Sequence, residues 1–376
     1  MNLEELESKK ALVRFDYNVP MDNGEIVNDF RIRKSLQTIK MLLDNNNKII
    51  IASHLGRPTE GEREKELSLE PICKYLSTVL NKRIKFFTNL SAVIDFEGYD
   101  VAMLENMRFN VGEKICDPKL SKTLASLADV FVFDAFGVSH RKECSTYGVA
   151  DFIDVIPGLN IKHEITTINR LINEASRPMT IIISGSKVST KLALIRKLLN
   201  RCDNMILGGG ILNTFLKAKG YEVGKSLTDS KFLNEAADIL NSSLGSKIFL
   251  PSDYTCQTNH GVKNISLSSI SDTDTIYDLG IDSISEIKNI IEGSSSIFWN
   301  GPLGFVEKKP FDNGTKELAK AIARHNCFSI VGGGDTLPII ENLNLQDDYT
   351  CLSTGGGSLL TYLEGGSLPI LEKLDI

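Results

Sequence analysis

Apolar residues cluster in short runs along this chain, at 11–15, 48–52, 101–104, 130–133, 180–183, 205–207, 247–250, 297–299 and 328–331, and stretches with helical spacing separate them. That alternation predicts an α/β fold. Nearly all the runs are apolar throughout instead of alternating, the pattern of parallel strands covered by helices on both faces. Two doubly wound parallel-sheet domains accommodate them.

The chain changes character between Phe152 and Pro178. Pro157-Gly158 interrupts it, apolar positions at helical spacing run over 161–175, and Arg177-Pro178 ends that helix. This places an N-terminal domain over 1–160, a joining helix over 161–176 and a C-terminal domain over 177–364. Residues 365–376 are too few for a domain and are expected to pack back on an existing one.

Composition leaves this picture intact. At 376 residues, 42% hydrophobic and 24% charged, the chain has an ordinary globular balance and room for two cores. Acidic residues exceed basic ones by 48 to 42, a formal charge of −6. No global field therefore favours nucleic acid or an anionic membrane, and an anionic ligand needs a local cluster. The seven cysteines are spread out with no C-x-x-C pair, which suggests neither a disulfide framework nor a zinc site. The start is acidic, and no run of about 18 apolar residues occurs, so a cytoplasmic location is expected.

In open parallel sheets, ligands bind beyond the carboxyl ends of the strands. The first-half strands lead into Arg14-Phe15-Asp16-Tyr17-Asn18, Ser53-His54-Leu55-Gly56-Arg57, Glu105-Asn106-Met107-Arg108 and Asp134-Ala135-Phe136-Gly137-Val138-Ser139-His140-Arg141. Guanidinium groups bind phosphate and carboxylate bidentately and stay charged, so Arg57, Arg108 and Arg141, with two histidines, suit a small, multiply anionic metabolite. Any one of them alone reads as a solvated or ion-paired strand end. Four successive strand ends read as a site.

Second-half strands end in glycine: Gly185 within S-G-S-K-V-S-T-K (184–191), Gly208-Gly209-Gly210, Asn300-Gly301-Pro302-Leu303-Gly304, Gly332-Gly333-Gly334-Asp335-Thr336 and Gly355-Gly356-Gly357. Each is expected to precede a helix, where backbone N–H groups can cradle phosphate. G-x-G-x-x-G is absent after the first strand, which weakens a dehydrogenase reading. Gly220-Tyr221-Glu222-Val223-Gly224-Lys225-Ser226 only approximates a Walker A loop, is one residue short between its glycines and follows a helical stretch, so it is read as a decoy. An anion site in one half and a nucleotide site in the other suggest phosphoryl transfer, with Lys187, Lys191 and Asp335 as candidate groups.

The ordered motifs R-F-D-Y-N-V-P (14–20), D-F-R-I (29–32), S-H-L-G-R-P (53–58), E-N-M-R-F (105–109), D-A-F-G-V-S-H-R (134–141), S-G-S-K-V-S-T-K (184–191), G-G-G-I-L-N-T-F-L (208–216), L-P-S-D (250–253), W-N-G-P-L-G-F-V-E (299–307), G-G-G-D-T (332–336) and S-T-G-G-G (353–357) resemble those of phosphoglycerate kinase along essentially the whole chain. The resemblance implies 3-phosphoglycerate, or 1,3-bisphosphoglycerate, held by Asp16, Asn18, Arg31, His54, Arg57, Arg108 and Arg141, with His140 nearby. It implies ATP or ADP bound through Gly185, Lys187, Lys191, Gly209, Asn300, Glu307, Gly334, Asp335 and Thr336, with Mg²⁺ on Asp335. Arg31, Lys187 and Lys191 would be the catalytic cations, the final residues would return to the N-terminal domain, the two halves would close by bending at the joining helix, and a monomer is the default.

This chain departs from the family pattern mostly on what is expected to be the nucleotide side. Ser184, Ser186 and Thr190 stand in the family's G-G-A-K-V-x-D-K, removing a carboxylate beside the lysines and giving Lys191 a different partner. Leu212, Asn213, Ile281 and Thr361 also differ, as do Val138-Ser139 before His140. Two alternatives to the kinase stay open on these grounds: a non-catalytic phosphoglycerate sensor with a decayed nucleotide site, and a kinase with another nucleotide preference.

Overall fold

The computed structural model describes residues 2–92, 98–374 and 376. These residues divide into two compact units, 1–166 with 357–376, and 167–356. In the first unit, β1 (Lys10–Phe15) is followed by a hairpin of β2 (Met21–Asp22) and β3 (Glu25–Ile26), then α1 (Phe30–Asp44) and β4 (Lys48–Ala52). Next come α2 (Glu70–Leu80), β5 (Ile84–Phe87), β6 (Val101–Leu104), α3 (Pro118–Ala125), β7 (Val130–Asp134) and β8 (Val155–Pro157). Helix α4 (Leu159–Glu174) carries the chain from this unit into the other.

The second unit holds β9 (Met179–Ser184), α5 (Leu192–Leu199), β10 (Asn204–Gly208), α6 (Gly209–Ala218), α7 (Leu233–Asn241) and β11 (Ile248–Phe249). After these come β12 (Asp253–Thr258), β13 (Gly261–Ser266), β14 (Thr275–Leu279), α8 (Ile281–Glu292), β15 (Ser296–Asn300), α9 (Asn313–His325), β16 (Phe328–Gly332), α10 (Leu337–Asn342) and β17 (Cys351–Ser353). Helices α11 (Gly357–Leu363) and α12 (Leu371–Leu374) belong to the first unit again.

Each unit contains a six-stranded parallel sheet, in the orders β5-β6-β4-β1-β7-β8 and β11-β10-β9-β15-β16-β17. The predicted α/β architecture with two parallel sheets is therefore found. In the first sheet Val13, Ile51, Met103 and Val132 join Ile39 and Leu42 of α1 and Leu76 of α2 in one core. In both sheets the chain builds outward from β1 or β9 on one side and then returns to build on the other. The carboxyl ends of β1 and β9 consequently stand at the places where such sheets form ligand crevices.

Three features differ from the sequence reading. An antiparallel sheet, β13-β12-β14, lies outside the parallel scheme. Its strand β13 is mostly exposed and polar, so it carries no apolar run. The turn at 301–304 does not open directly into a helix, because α9 starts only at Asn313. The returning segment begins at Gly357, ahead of the expected 365, because α11 packs on the turn Phe136–Val138. The change of unit within α4 falls between Thr166 and Thr167.

The start of α4 is tied to the first sheet by a buried carboxylate. Asp134, at the end of β7, accepts from the Ile161 N–H (2.8 Å) and from Thr38 Oγ1 (2.6 Å), while Thr38 Oγ1 accepts from the Leu159 N–H (3.1 Å). Among the described residues, no helix is long and apolar enough to cross a membrane. Ile182 lies fully buried in β9, paired with both β10 and β15. Ile182→Ala should lower the stability of the second unit by ~2–5 kcal/mol through the cavity it opens, read as a lower denaturant midpoint at unchanged slope.

Candidate active site

In the first unit several strand-end side chains are joined to one another by hydrogen bonds and ion pairs. Asp16, just beyond β1 and 7% exposed, is ion-paired with Arg31 from the first turn of α1. Its Oδ1 also accepts from the Asn18 N–H at 3.2 Å, and Asn18 Oδ1 in turn accepts from the Gly56 N–H at 2.9 Å. The turn after β4 is thereby joined to the turn after β1. Gly56 needs its positive φ of 62° and sits against the Leu67 side chain, 2.6 Å from where a Cβ would stand. Arg57, next in sequence, is exposed.

Arg108 is almost fully buried and bound at both ends of its guanidinium, Nη1 to the Gly56 carbonyl (2.8 Å) and Nη2 to Glu143 Oε1 (2.8 Å). Arg141 Nη1 reaches the same carboxylate oxygen at 3.4 Å. Glu143 thus holds two arginines together, and the sequence reading missed it. It lies two residues beyond D-A-F-G-V-S-H-R (134–141), without a pattern of its own.

The two histidines of this unit are held differently. His54 is 2% exposed and receives a hydrogen bond at Nδ1 from Arg14 Nη2 (3.1 Å). Burial and then the charges of Arg14, Arg108, Arg141 and Arg31 push its pKa well below the ordinary 6.5. Nδ1 of His140 lies 2.6 Å from Ser358 Oγ, on the returning α11, and its pKa is lowered by burial first and then by Arg141. Neither imidazole carries charge near neutral pH.

In the second unit four strand ends pack against one another through glycine. A Cβ on Gly209 (φ 61°) would stand 2.9 Å from the Gly185 carbonyl oxygen, and one on Gly301 (φ 95°) 2.4 Å from the Ser184 carbonyl oxygen. Gly333 (φ 119°) approaches the Gly301 nitrogen and Asn300 Nδ2. The ends of β9, β10, β15 and β16 are brought together as a backbone surface that any side chain would fill.

Lys191 is folded into this surface, its Nζ donating to the Ser184 carbonyl and to Asn300 Oδ1 at 2.5 Å each. The charge of Asp335 also acts on this amine, in opposition to its burial. Thr190 Oγ1 turns back to the Lys187 carbonyl (3.0 Å), and Lys187 itself is exposed. Asp335 and Gly334 are exposed on the turn before α10, and Thr336 Oγ1 beside them is buried with no hydrogen-bond partner among the described residues. Glu307 lies exposed on the segment after β15.

Other expectations resolve locally. Leu212 is a buried residue of α6, whereas Ile281 is 70% exposed at the start of α8. Asn213 Nδ2 donates to the Leu227 carbonyl at 3.2 Å. Thr361 lies in the first unit, under Gly366, and not in the half expected to hold nucleotide. The Walker-like segment has its Val223 and Gly224 N–H groups already bound to Glu222 Oε1, consistent with a structural turn.

Among the described residues no three His, Cys, Asp or Glu side chains form a metal cluster. Asp335 alone, exposed beside a backbone surface, fits a magnesium ion that keeps its waters and takes its remaining ligands from substrate phosphates.

A family model for phosphoglycerate kinase matches residues 1–366. The phosphoglycerate kinase of Francisella philomiragia is 41% identical over 98% of this chain and 96% of its own length. The solved phosphoglycerate kinase of Coxiella burnetii is 37% identical with a TM-score of 0.88, covering 100% of this chain and 98% of that one. That of Pyrococcus horikoshii is 29% identical with a TM-score of 0.89 at the same coverage.

Burial lowers the Lys191 amine from 10.5 to about 8, against the opposing pull of Asp335, so its charge is present below that pH and lost above it. A titration of ¹³Cε-labelled lysine should show one resonance with a midpoint near this value, and Asp335→Asn should move the midpoint further down. A Lys191 midpoint at the ordinary lysine value would refute the placement of its amine.

Proposed function

The chain belongs to the phosphoglycerate kinase family, and from that premise we propose that the first unit holds 3-phosphoglycerate while the second holds the nucleotide. The observation that carries this division is the contrast between the two strand-end surfaces. One is a set of guanidiniums fixed by buried carboxylates; the other is bare backbone with lysines and one exposed carboxylate.

Arg57, Arg108 and Arg141 neutralise the phosphate of 3-phosphoglycerate, Asp16 and Asn18 orient its hydroxyl, and the neutral His54 and His140 act as hydrogen-bonding groups. The acceptor is a carboxylate, already anionic at neutral pH, so no general base is required. One carboxylate oxygen forms a bond to the γ-phosphorus of ATP while the bond to the β,γ-bridging oxygen breaks. The products are 1,3-bisphosphoglycerate and ADP, no proton moves, and the reverse reaction follows the same path.

Arg31 and Lys187 stabilise the charge on the transferring group, and Lys191 leaves its resting hydrogen bonds to meet nucleotide phosphates. Gly185, Gly209, Gly334 and Thr336 supply the phosphate cradle, Asn300 lines it, and Glu307 bonds the ribose. Mg²⁺, bound through Asp335, would offset charge on the phosphate oxygens. Transfer requires the two substrates to meet, and bending at α4 is the proposed route. The protein acts in the cytoplasm as a monomer without nucleic-acid or membrane partners. Nothing in either half-site favours the sensor or the altered donor.

Purified protein should form 1,3-bisphosphoglycerate from MgATP and 3-phosphoglycerate, followed as NADH oxidation through added glyceraldehyde-3-phosphate dehydrogenase. Lys187→Ala and Arg31→Ala should each lower kcat by ~10²–10³-fold, as for loss of one preorganised donor. Binding of 3-phosphoglycerate without turnover on any nucleoside triphosphate would reverse this assignment in favour of the sensor.

A further inference from the structure

Arg14 is a charged group wholly hidden in the first unit. It sits in β1 between Val13 and Phe15, fully buried, where an isolated charge would be prohibitively costly. Glu113, Glu143 and Asp16 offset that charge. Among the described residues its Nε and Nη1 make no hydrogen bond, whereas Nη2 is 3.1 Å from His54 Nδ1.

A guanidinium has donors and no acceptor. The contact with His54 therefore has one possible polarity: Nδ1 must offer its lone pair. Imidazolium, with hydrogens on both nitrogens, cannot occupy this geometry, and neither can the Nδ1–H tautomer. Asp16 Oδ1 is 3.9 Å from the same nitrogen, beyond hydrogen-bond range. We propose that Arg14 is a positioning residue, whose buried guanidinium fixes His54 as the tautomer with a bare Nδ1 and a protonated Nε2, so that His54 presents an N–H donor to the anionic substrate. This rests on the assignment of His54 to the phosphoglycerate half-site.

The charged groups facing His54 reinforce the effect. Arg14 and Asp16 come from β1 and its end, Arg31 from α1, Arg108 from the turn after β6, and Arg141 from the segment after β7. Glu143 pairs with Arg108 and Arg141, and Glu113 lies in the field of Arg14, yet the four arginines together still disfavour a further positive charge on His54. His54 thus supplies a donor whose strength does not follow the usual histidine titration.

The test is a long-range ¹H–¹⁵N spectrum of protein labelled at its five histidines, with His54 assigned by its absence in His54→Ala. The wild type should show an unprotonated, pyridine-like Nδ1 and a pyrrole-like Nε2, unchanged between about pH 5 and 8. A pyrrole-like Nδ1, or an imidazolium in that range, overturns the proposal, and this reading needs no variant of Arg14 to fold. Arg14→Lys, which keeps a donor, should preserve the pattern. Arg14→Met should let His54 sample both tautomers and titrate, and raise KM for 3-phosphoglycerate about tenfold, as for one lost charge-supported hydrogen bond, with KM now pH-dependent. Folded Arg14→Met with an unchanged His54 spectrum also overturns it. An unchanged KM in His54→Ala would instead remove His54 from the substrate site, a separate failure that the spectrum does not share.

Discussion

Guanidinium groups brought within one site repel each other in the absence of ligand, so a site made of them needs carboxylates that neutralise without occupying the binding face. In the first unit Glu143 meets that constraint by holding Arg108 and Arg141 through one oxygen, and Asp16 by holding Arg31. Glu113 and Glu143 also lie within the field of Arg14. Burial has a visible cost at Glu113, whose pKa is pushed up to about 7 despite the opposing Arg14 charge and the Ser145 hydrogen bond. The balance of these charges explains how so many arginines can stand at the ends of one sheet and keep defined geometry.

The second unit meets the opposite demand. Its strand-end surface is made by leaving atoms out: several turns approach so closely that a methyl group on Gly209, Gly210 or Gly301 would strike a neighbouring carbonyl. Lys191 occupies part of that space in the resting protein, bound to a backbone carbonyl and to Asn300. A cation held by neutral hydrogen bonds would gain from exchanging them for an anion, because charge-assisted bonds are the stronger.

The sequence conveyed the two parallel sheets because the middles of strands such as β1, β4 and β7 are buried, non-alternating apolar runs. It did not convey β13, whose residues face solvent, or the early return at Gly357, which depends on α11 packing on a turn distant in sequence. At the site, the arginines and glycines were legible because their chemistry marks them wherever they occur. Arg14 was passed over because a charge within an apolar run looks like the strand's end, and Glu143 because a carboxylate's role depends on which cations the fold sets beside it. Thr361 illustrates the reverse case, a position attributed to the nucleotide half by sequence order and placed by the chain's path in the other unit.

The second unit is one continuous stretch, whereas the first is interrupted and finished only by α11 and α12. Ser358, the partner of His140, is 218 residues further along the chain. During synthesis at ~5–20 residues per second, the half that emerges first therefore waits longest for its last pieces. The residues that complete the first unit are thus made after the whole of the second, so the closing of the earlier half depends on the latest part of the chain.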